Sequence, residues 1–192
     1  MAIFGGTFDP IHLGHVALAR EAADRFRLDR ILFVPASRPP HKSGVTHADY
    51  EHRVRMVELA CAGEPRFTVS RLEQNTERSY SIDTIEKVRS TLAPEEELFF
   101  LIGADAFAEI ETWRRWQDVI RAVSFIVASR PGHRYHVPAG ARVERIETFD
   151  RPVSSSGIRE ALAGGECPQD LPGAVLDYIR RHRLYGVPVN AC

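Results

Sequence analysis

Two histidines three residues apart, His12 and His15, close the run Gly5-Gly6-Thr7-Phe8-Asp9-Pro10-Ile11-His12-Leu13-Gly14-His15 near the start of the chain. At that spacing both imidazoles fall on one face of a first helical turn and can act on one ligand. The apolar run Ala2-Ile3-Phe4 ahead of the glycines reads as a strand, so the order is strand, glycine turn, helix start. Glycines without a Cβ let the backbone approach a ligand closely. The free N–H groups and positive dipole end of the helix face the same turn. Such a place attracts phosphate. The two imidazoles are then donors to phosphoryl oxygens, with the Thr7 hydroxyl beside them.

A second anion site is expected from Ser154-Ser155-Ser156-Gly157-Ile158-Arg159. Ser155 and Ser156 would sit at a helix N-terminus, with the Arg159 guanidinium one turn on. Lys42, on a loop stiffened by Pro39 and Pro40, is a candidate phosphate clamp. Asp105 follows the most apolar run of the chain, Leu98 to Ile102, after Gly103 and Ala104. That order places its carboxylate at the C-terminal edge of a buried strand, where ligands collect in open α/β sheets. His41, His47 and His52 around Asp49 have no recognised metal-ligand spacing and read as solvated surface. Asp9 beside Pro10 reads as a turn-former.

Alternating elements must carry these groups. Strands are expected at residues 2–4, 31–34, 67–69, 98–102 and 123–127, the longer ones continuous apolar runs suited to burial on both faces. Between them the spacing predicts helices over residues 13–26, 46–62 with Thr46 as N-cap, 81–92, and an irregular or helical stretch holding Trp113 and Trp116. Residues 37–44 and 130–142 read as loops, and helices follow from Ser154 and Ala174. Strands alternating with helices imply an α/β, doubly wound, Rossmann-like domain with a mostly parallel sheet.

A chain of 192 residues is most simply one domain with a sizeable core. Hydrophobic content of 44% and charge of 27% are ordinary for a globular protein. A net charge of −1 points to neither a nucleic-acid nor a membrane surface, so any positive field must be local. No apolar run has a membrane helix's length and no secretory segment opens the chain. The scattered Cys61, Cys167 and Cys192 fit a reducing cytoplasm better than a disulfide framework.

The first run resembles the signature of the nucleotidylyltransferases with a His-x-Gly-His motif, and the late serine run resembles their Ser-Ser-Thr-x-x-Arg signature, with Ser156 for the threonine. Five internal stretches are similar to bacterial nicotinate mononucleotide adenylyltransferases: residues 38–42, 79–84, 102–105, Trp113 and 130–132. The resemblance covers nearly the whole chain. It implies one nucleotidyltransferase domain over 1–192, whose short helical C-terminal part, about 154–185, carries the second motif. It departs from the family's habit at Ser81, where threonine is usual, and at Arg114, where an aromatic often stands.

The resemblance implies transfer of AMP from ATP to nicotinate mononucleotide, in the cytoplasm, giving nicotinate adenine dinucleotide and pyrophosphate for NAD biosynthesis. Direct in-line attack needs positioning and charge neutralisation more than a protein nucleophile. His12 and His15 then stabilise the transition state. Gly5, Gly6, Thr7, Phe8, Lys42, Gly103, Asp105, Ser155, Ser156 and Arg159 hold ATP and its phosphates, and Tyr80, Ser81 and Trp113 hold the acceptor. Mg²⁺ would ride mainly on substrate phosphates. Phosphopantetheine as acceptor is the nearest rival, and a non-catalytic nucleotide-binding regulator is the rival of another class. A dinucleotide oxidoreductase is disfavoured, since the first turn lacks Gly-x-Gly-x-x-Gly, and an aminoacyl-tRNA synthetase has no room for its tRNA domain. The oligomeric state, a homo-oligomer included, is not legible.

Overall fold

The computed structural model describes residues 1–38, 46–147 and 153–188. Its strands are β1 (Ala2–Gly6), β2 (Ile31–Pro35), β3 (Phe67–Val69), β4 (Phe99–Gly103), β5 (Ser124–Ser129) and β6 (Arg142–Glu147). They form one sheet in the order β3-β2-β1-β4-β5-β6, and every neighbouring pair is parallel. The expectation of a mostly parallel sheet is thus met in an all-parallel form. From β1 the chain winds outward through β2 and β3, then returns to place β4 on the other side of β1. At that reversal the connections leave β1 and β4 in opposite directions, and a crevice opens at their C-terminal ends.

The helices are α1 (Leu13–Arg25), α2 (Tyr50–Cys61), α3 (Ser81–Arg89), α4 (Ala104–Ala108), α5 (Trp116–Ala122), α6 (Ser155–Ala163) and α7 (Gly173–Arg181). Successive strand residues serve opposite cores, as the pleat requires. Phe4, Phe33, Leu101 and Ile126 face the core shared with α1, α2, α6 and α7. Ile3, Val34, Ile102 and Val127 face the core shared with α3, α4 and α5. No helix among the described residues is long and apolar enough to cross a membrane.

Two departures from the sequence reading have physical causes. The second helix begins at Tyr50 with Asp49 as N-cap, not at Thr46. The Asp9 carboxylate accepts hydrogen bonds from the backbone N–H of His47 (2.7 Å) and Ala48 (3.2 Å), which holds that stretch outside the helix. Strand β6 went unread because Arg-Val-Glu-Arg-Ile-Glu is rich in charge. It lies at the sheet edge, where Ile146 alone of its side chains is buried and charges suit the exposed rim.

Candidate active site

The turn after β1 is shaped by its own aromatic side chain. Phe8 takes a left-handed backbone conformation (φ 49°). Its ring, 2% exposed, lies edge-on to Phe4 at 5.5 Å and tilted against Phe33 at 5.8 Å. The side chain of Phe8 thus belongs to the core, which leaves its backbone alone to face a phosphate. A Cβ on Gly6 would lie 2.9–3.2 Å from that ring, so the Phe8 ring itself calls for glycine there.

His12 and His15 stand at the start of α1 with their rings stacked, centroids 3.7 Å apart and planes at 27°. The His12 backbone N–H donates to His15 Nδ1 at 3.3 Å. With Nδ1 accepting, a neutral His15 carries its proton on Nε2, which makes that nitrogen the donor of the ring. The first amide of α1, Leu13 N, already donates to the Asp170 carbonyl at 2.8 Å, so fewer helix N–H groups face the turn than expected. His12 Nδ1 is buried without a hydrogen-bond partner. A Cβ on Gly14 would fall 3.0–3.1 Å from the His12 ring. Gly14→Ala should therefore push that ring off His15 and lower kcat about tenfold or more with a small stability loss. Steady-state kinetics beside thermal melting checks this, and an unchanged kcat would contradict it.

Burial pushes His12 down from 6.5 to about 4, opposed by the nearby Asp170 carboxylate. Between those values the unfolded chain binds a proton that the folded chain excludes. The stability contribution is complete above the ordinary histidine value and is lost as pH falls toward about 4, by up to about 1.4 kcal/mol per pH unit. Denaturant titrations of the wild type and His12→Gln across this window should converge toward acid; parallel profiles would exclude the effect.

The groups that hold the turn are ones the sequence hid. Arg53 on α2 is fully buried. Its Nη1 donates to the carbonyls of Thr7 and Ala36, both at 2.7 Å, Nε to Ala48 at 3.1 Å and Nη2 to Ser37 at 3.4 Å. Asp9, read as a turn-former, is 4% exposed and also accepts from the Tyr185 hydroxyl at 2.7 Å. From α6, Arg159 Nη1 donates to the Asp9 carbonyl at 2.7 Å and Ser155 Oγ to the Pro10 carbonyl at 2.9 Å. The two ends of the chain thus meet, but in this structure Ser155 and Arg159 bind the first turn itself. Ser154 caps α6 through Gly157 N at 3.1 Å, and Ser156 is exposed with its Oγ 3.2 Å from that of Ser154. Lys42 lies outside the described residues.

Two clefts open at the C-terminal sheet edge. One, of about 560 Å³, is bordered by Gly5, Gly6 and Thr7 at one end and by Tyr80, Ser81 and Trp113 at the other. Trp113 is held edge-to-face against Phe100 at 6.0 Å. The second, of about 380 Å³, has His12, His15 and Gly103 on one wall and Ser129, Arg130 and His133 on another. Asp105, its carboxylate fully exposed, borders both. The first cleft also holds Glu73, a carboxyl unmarked by any motif. Glu73 is 8% exposed and accepts from Thr84 Oγ1 at 2.6 Å, while its Oε2 is buried without a partner.

A parallel sheet reversing at β1/β4, with two histidines at the first helix and a cleft on either side of that reversal, defines a nucleotide-handling domain of the nucleotidyltransferase class. A family model described as cytidylyltransferase-like matches residues 3–161. A "probable nicotinate-nucleotide adenylyltransferase" of Solibacter usitatus is 66% identical over 185 residues, covering 96% of this chain and 98% of the relative. One of Thermus thermophilus with the same name is 42% identical, with coverage of 96% and 98%. The chain belongs to the nicotinate-nucleotide adenylyltransferase family. The fold is shared with a Plasmodium falciparum nicotinic acid mononucleotide adenylyltransferase complexed with NaAD, at TM-score 0.80, 20% identity and 98% coverage of both chains.

Proposed function

We propose that this chain transfers AMP from ATP to nicotinate mononucleotide, releasing pyrophosphate and forming nicotinate adenine dinucleotide. The observation that carries the reading is the junction of the two clefts at the first turn. Gly5, Gly6 and Thr7 border the cleft that holds Trp113, and His12 and His15 border the other. A nucleotide in the histidine cleft and a mononucleotide in the tryptophan cleft bring their phosphates together there. An oxygen of the acceptor phosphate forms a bond to the α-phosphorus of ATP, and the bond from that phosphorus to the bridging oxygen breaks. The electron pair leaves with pyrophosphate.

The chain's own groups orient and stabilise. His15, locked by the His12 N–H on Nδ1, donates from Nε2 to the transferring phosphoryl group. Trp113 offers its face to the pyridine ring. Mg²⁺ fits this site as an ion carried on the triphosphate, since it takes oxygen ligands and keeps several waters. The exposed Asp105 carboxylate, which borders both clefts, would be the protein oxygen available to it. When bound, the ion supplies charge neutralisation. We place the reaction in the cytoplasm, where ATP is available.

Pyrophosphate release, followed with ATP and Mg²⁺ plus nicotinate mononucleotide, nicotinamide mononucleotide or phosphopantetheine, tests the reading. Release with nicotinate mononucleotide is expected. Release with none of the three would remove the enzymatic reading, and release with phosphopantetheine alone would replace the acceptor.

A further inference from the structure

Three hydrogen bonds tie the chain that follows β2 to the chain that precedes α3. The backbone N–H groups of Ser37 and Arg38 donate to Ser79 Oγ at 2.9 and 3.1 Å. The Ser79 N–H returns a bond to the Arg38 carbonyl at 3.1 Å. Two accepted bonds use both lone pairs of the serine hydroxyl, so its own proton needs an acceptor. Glu73 has the open position. Its Oε1 accepts from Thr84 Oγ1 at 2.6 Å, and its Oε2 is buried without a partner among the described residues. We infer that Glu73 is a positioning residue for the transfer, whose carboxyl accepts from the Ser79 hydroxyl and so fixes Ser37 and Arg38 against α3. The kinetic part of this inference rests on nicotinate mononucleotide as acceptor; the structural link does not.

The link continues to the first turn. The Ala36 N–H donates to the Gly6 carbonyl at 2.8 Å, and Arg53 holds the Ala36 and Ser37 carbonyls. Gly6, Ala36, Ser79 and Thr84 line one cleft with Glu73. Glu73 therefore helps set the separation between the glycine turn at one end of that cleft and Tyr80 and Ser81 at the other. In-line attack depends on such a separation, since a misplacement of about 1 Å can cost about 10²-fold in rate.

The electrostatics agree with the geometry. Burial pushes the Glu73 carboxyl above its ordinary range, opposed by the Ser79 and Thr84 hydroxyls, the Ser37 N–H and the Lys87 charge. Three of those four groups belong to the segments being joined. The accepting role does not require a charge, because a neutral carboxyl keeps acceptor capacity beside its one O–H.

The experiment compares the wild type with Glu73→Gln, Glu73→Ala, Ser79→Ala, the double variant Glu73→Ala/Ser79→Ala, and Val88→Ala. The last removes volume from a buried position of α3 outside the link and serves as the destabilised control. Amide hydrogen exchange at Ser37 and Arg38 should quicken about tenfold in Glu73→Ala and in Ser79→Ala. With nicotinate mononucleotide, kcat should fall by about 10- to 100-fold, while the dissociation constants of ATP and acceptor change less than about threefold. Glu73→Gln should fall between, since it keeps one acceptor oxygen. The double variant should lose little more than the worse single one, as members of one chain of contacts do. Val88→Ala should melt at lower temperature yet keep kcat within about threefold and both amides protected. Unchanged exchange at both amides in Glu73→Ala, additive losses, or an equal fall of kcat in Val88→Ala would overturn the assignment. A wild type that turned over no pyridine mononucleotide would overturn the proposed function and the kinetic role with it, and the exchange data would still decide the link.

Discussion

His15→Ala lowers kcat by about 10²- to 10³-fold while substrate dissociation constants change less than about threefold. The magnitude is that of removing one preorganised donor aimed at charge that develops in the transition state. Its asymmetry follows from how His15 is held. The His12 N–H occupies Nδ1, and the ring lies edge-on to Phe8 at 5.2 Å and against Phe4 at 6.0 Å. A donor fixed in this way is oriented before substrate arrives, so its strength is realised when negative charge accumulates on the transferring phosphoryl oxygens. His15→Asn or His15→Gln should recover part of the loss by supplying a neutral donor from a less rigid side chain. Single-turnover rates with calorimetric binding separate the two effects. Equal losses in ground-state binding and in turnover would assign His15 to substrate binding alone.

Arg53→Met destabilises the fold by about 3–5 kcal/mol, the order expected when several buried carbonyls lose one charged donor together. For a chain of this length that corresponds to a fall in Tm of about 6–20 °C. The methionine fills the volume but leaves the carbonyls of Thr7, Ala36, Ser37 and Ala48 without the donor that now serves them. Each buried carbonyl left unpaired costs about 1–3 kcal/mol before relaxation. Arg53→Lys should be nearly as damaging, because one ammonium cannot reach carbonyls arrayed around a planar fork. At temperatures where Arg53→Met remains folded, kcat should also drop, since Thr7 and the end of β2 lose their common anchor. Denaturant midpoints and activity measured on one preparation test both parts. A loss under about 1 kcal/mol would show that water or a shifted backbone satisfies those carbonyls.

Asp9 extends the same lesson. Its carboxylate takes the backbone of His47 and Ala48 and the Tyr185 hydroxyl, and its carbonyl takes Arg159. Residues near both ends of the chain and at the start of α2 are tied to one buried side chain. The first turn is held rigid by its neighbours, which fits a reaction that depends on positioning rather than on a protein nucleophile.

What the sequence determined by itself was the periodic and the local. Continuous apolar runs identified β1, β2 and β4, since burial on both faces leaves no polar residue to interrupt them, while β5 carries Ser124 and β3 is a three-residue edge strand with Thr68 exposed. Glycine turns, a serine N-cap and helical spacing marked the elements that carry His12, His15 and Ser154 to Arg159, and the two motifs together identified the family. The charged edge strand β6 was illegible because its order comes from pairing with β5, not from its own pattern. Only the tertiary structure decided that Phe8 turns into the core and so requires Gly6. The same holds for Asp9 shortening α2 and for Arg53, Asp9 and Tyr185 serving the first turn. It holds too for Glu73 and Arg114 bordering one cleft. Apart from the local packing of Phe8 on Gly6, those facts depend largely on contacts between residues tens to more than a hundred positions apart. No local spacing records such a contact, because the free energy of a buried charge or a fitted ring is set by whatever the fold brings against it.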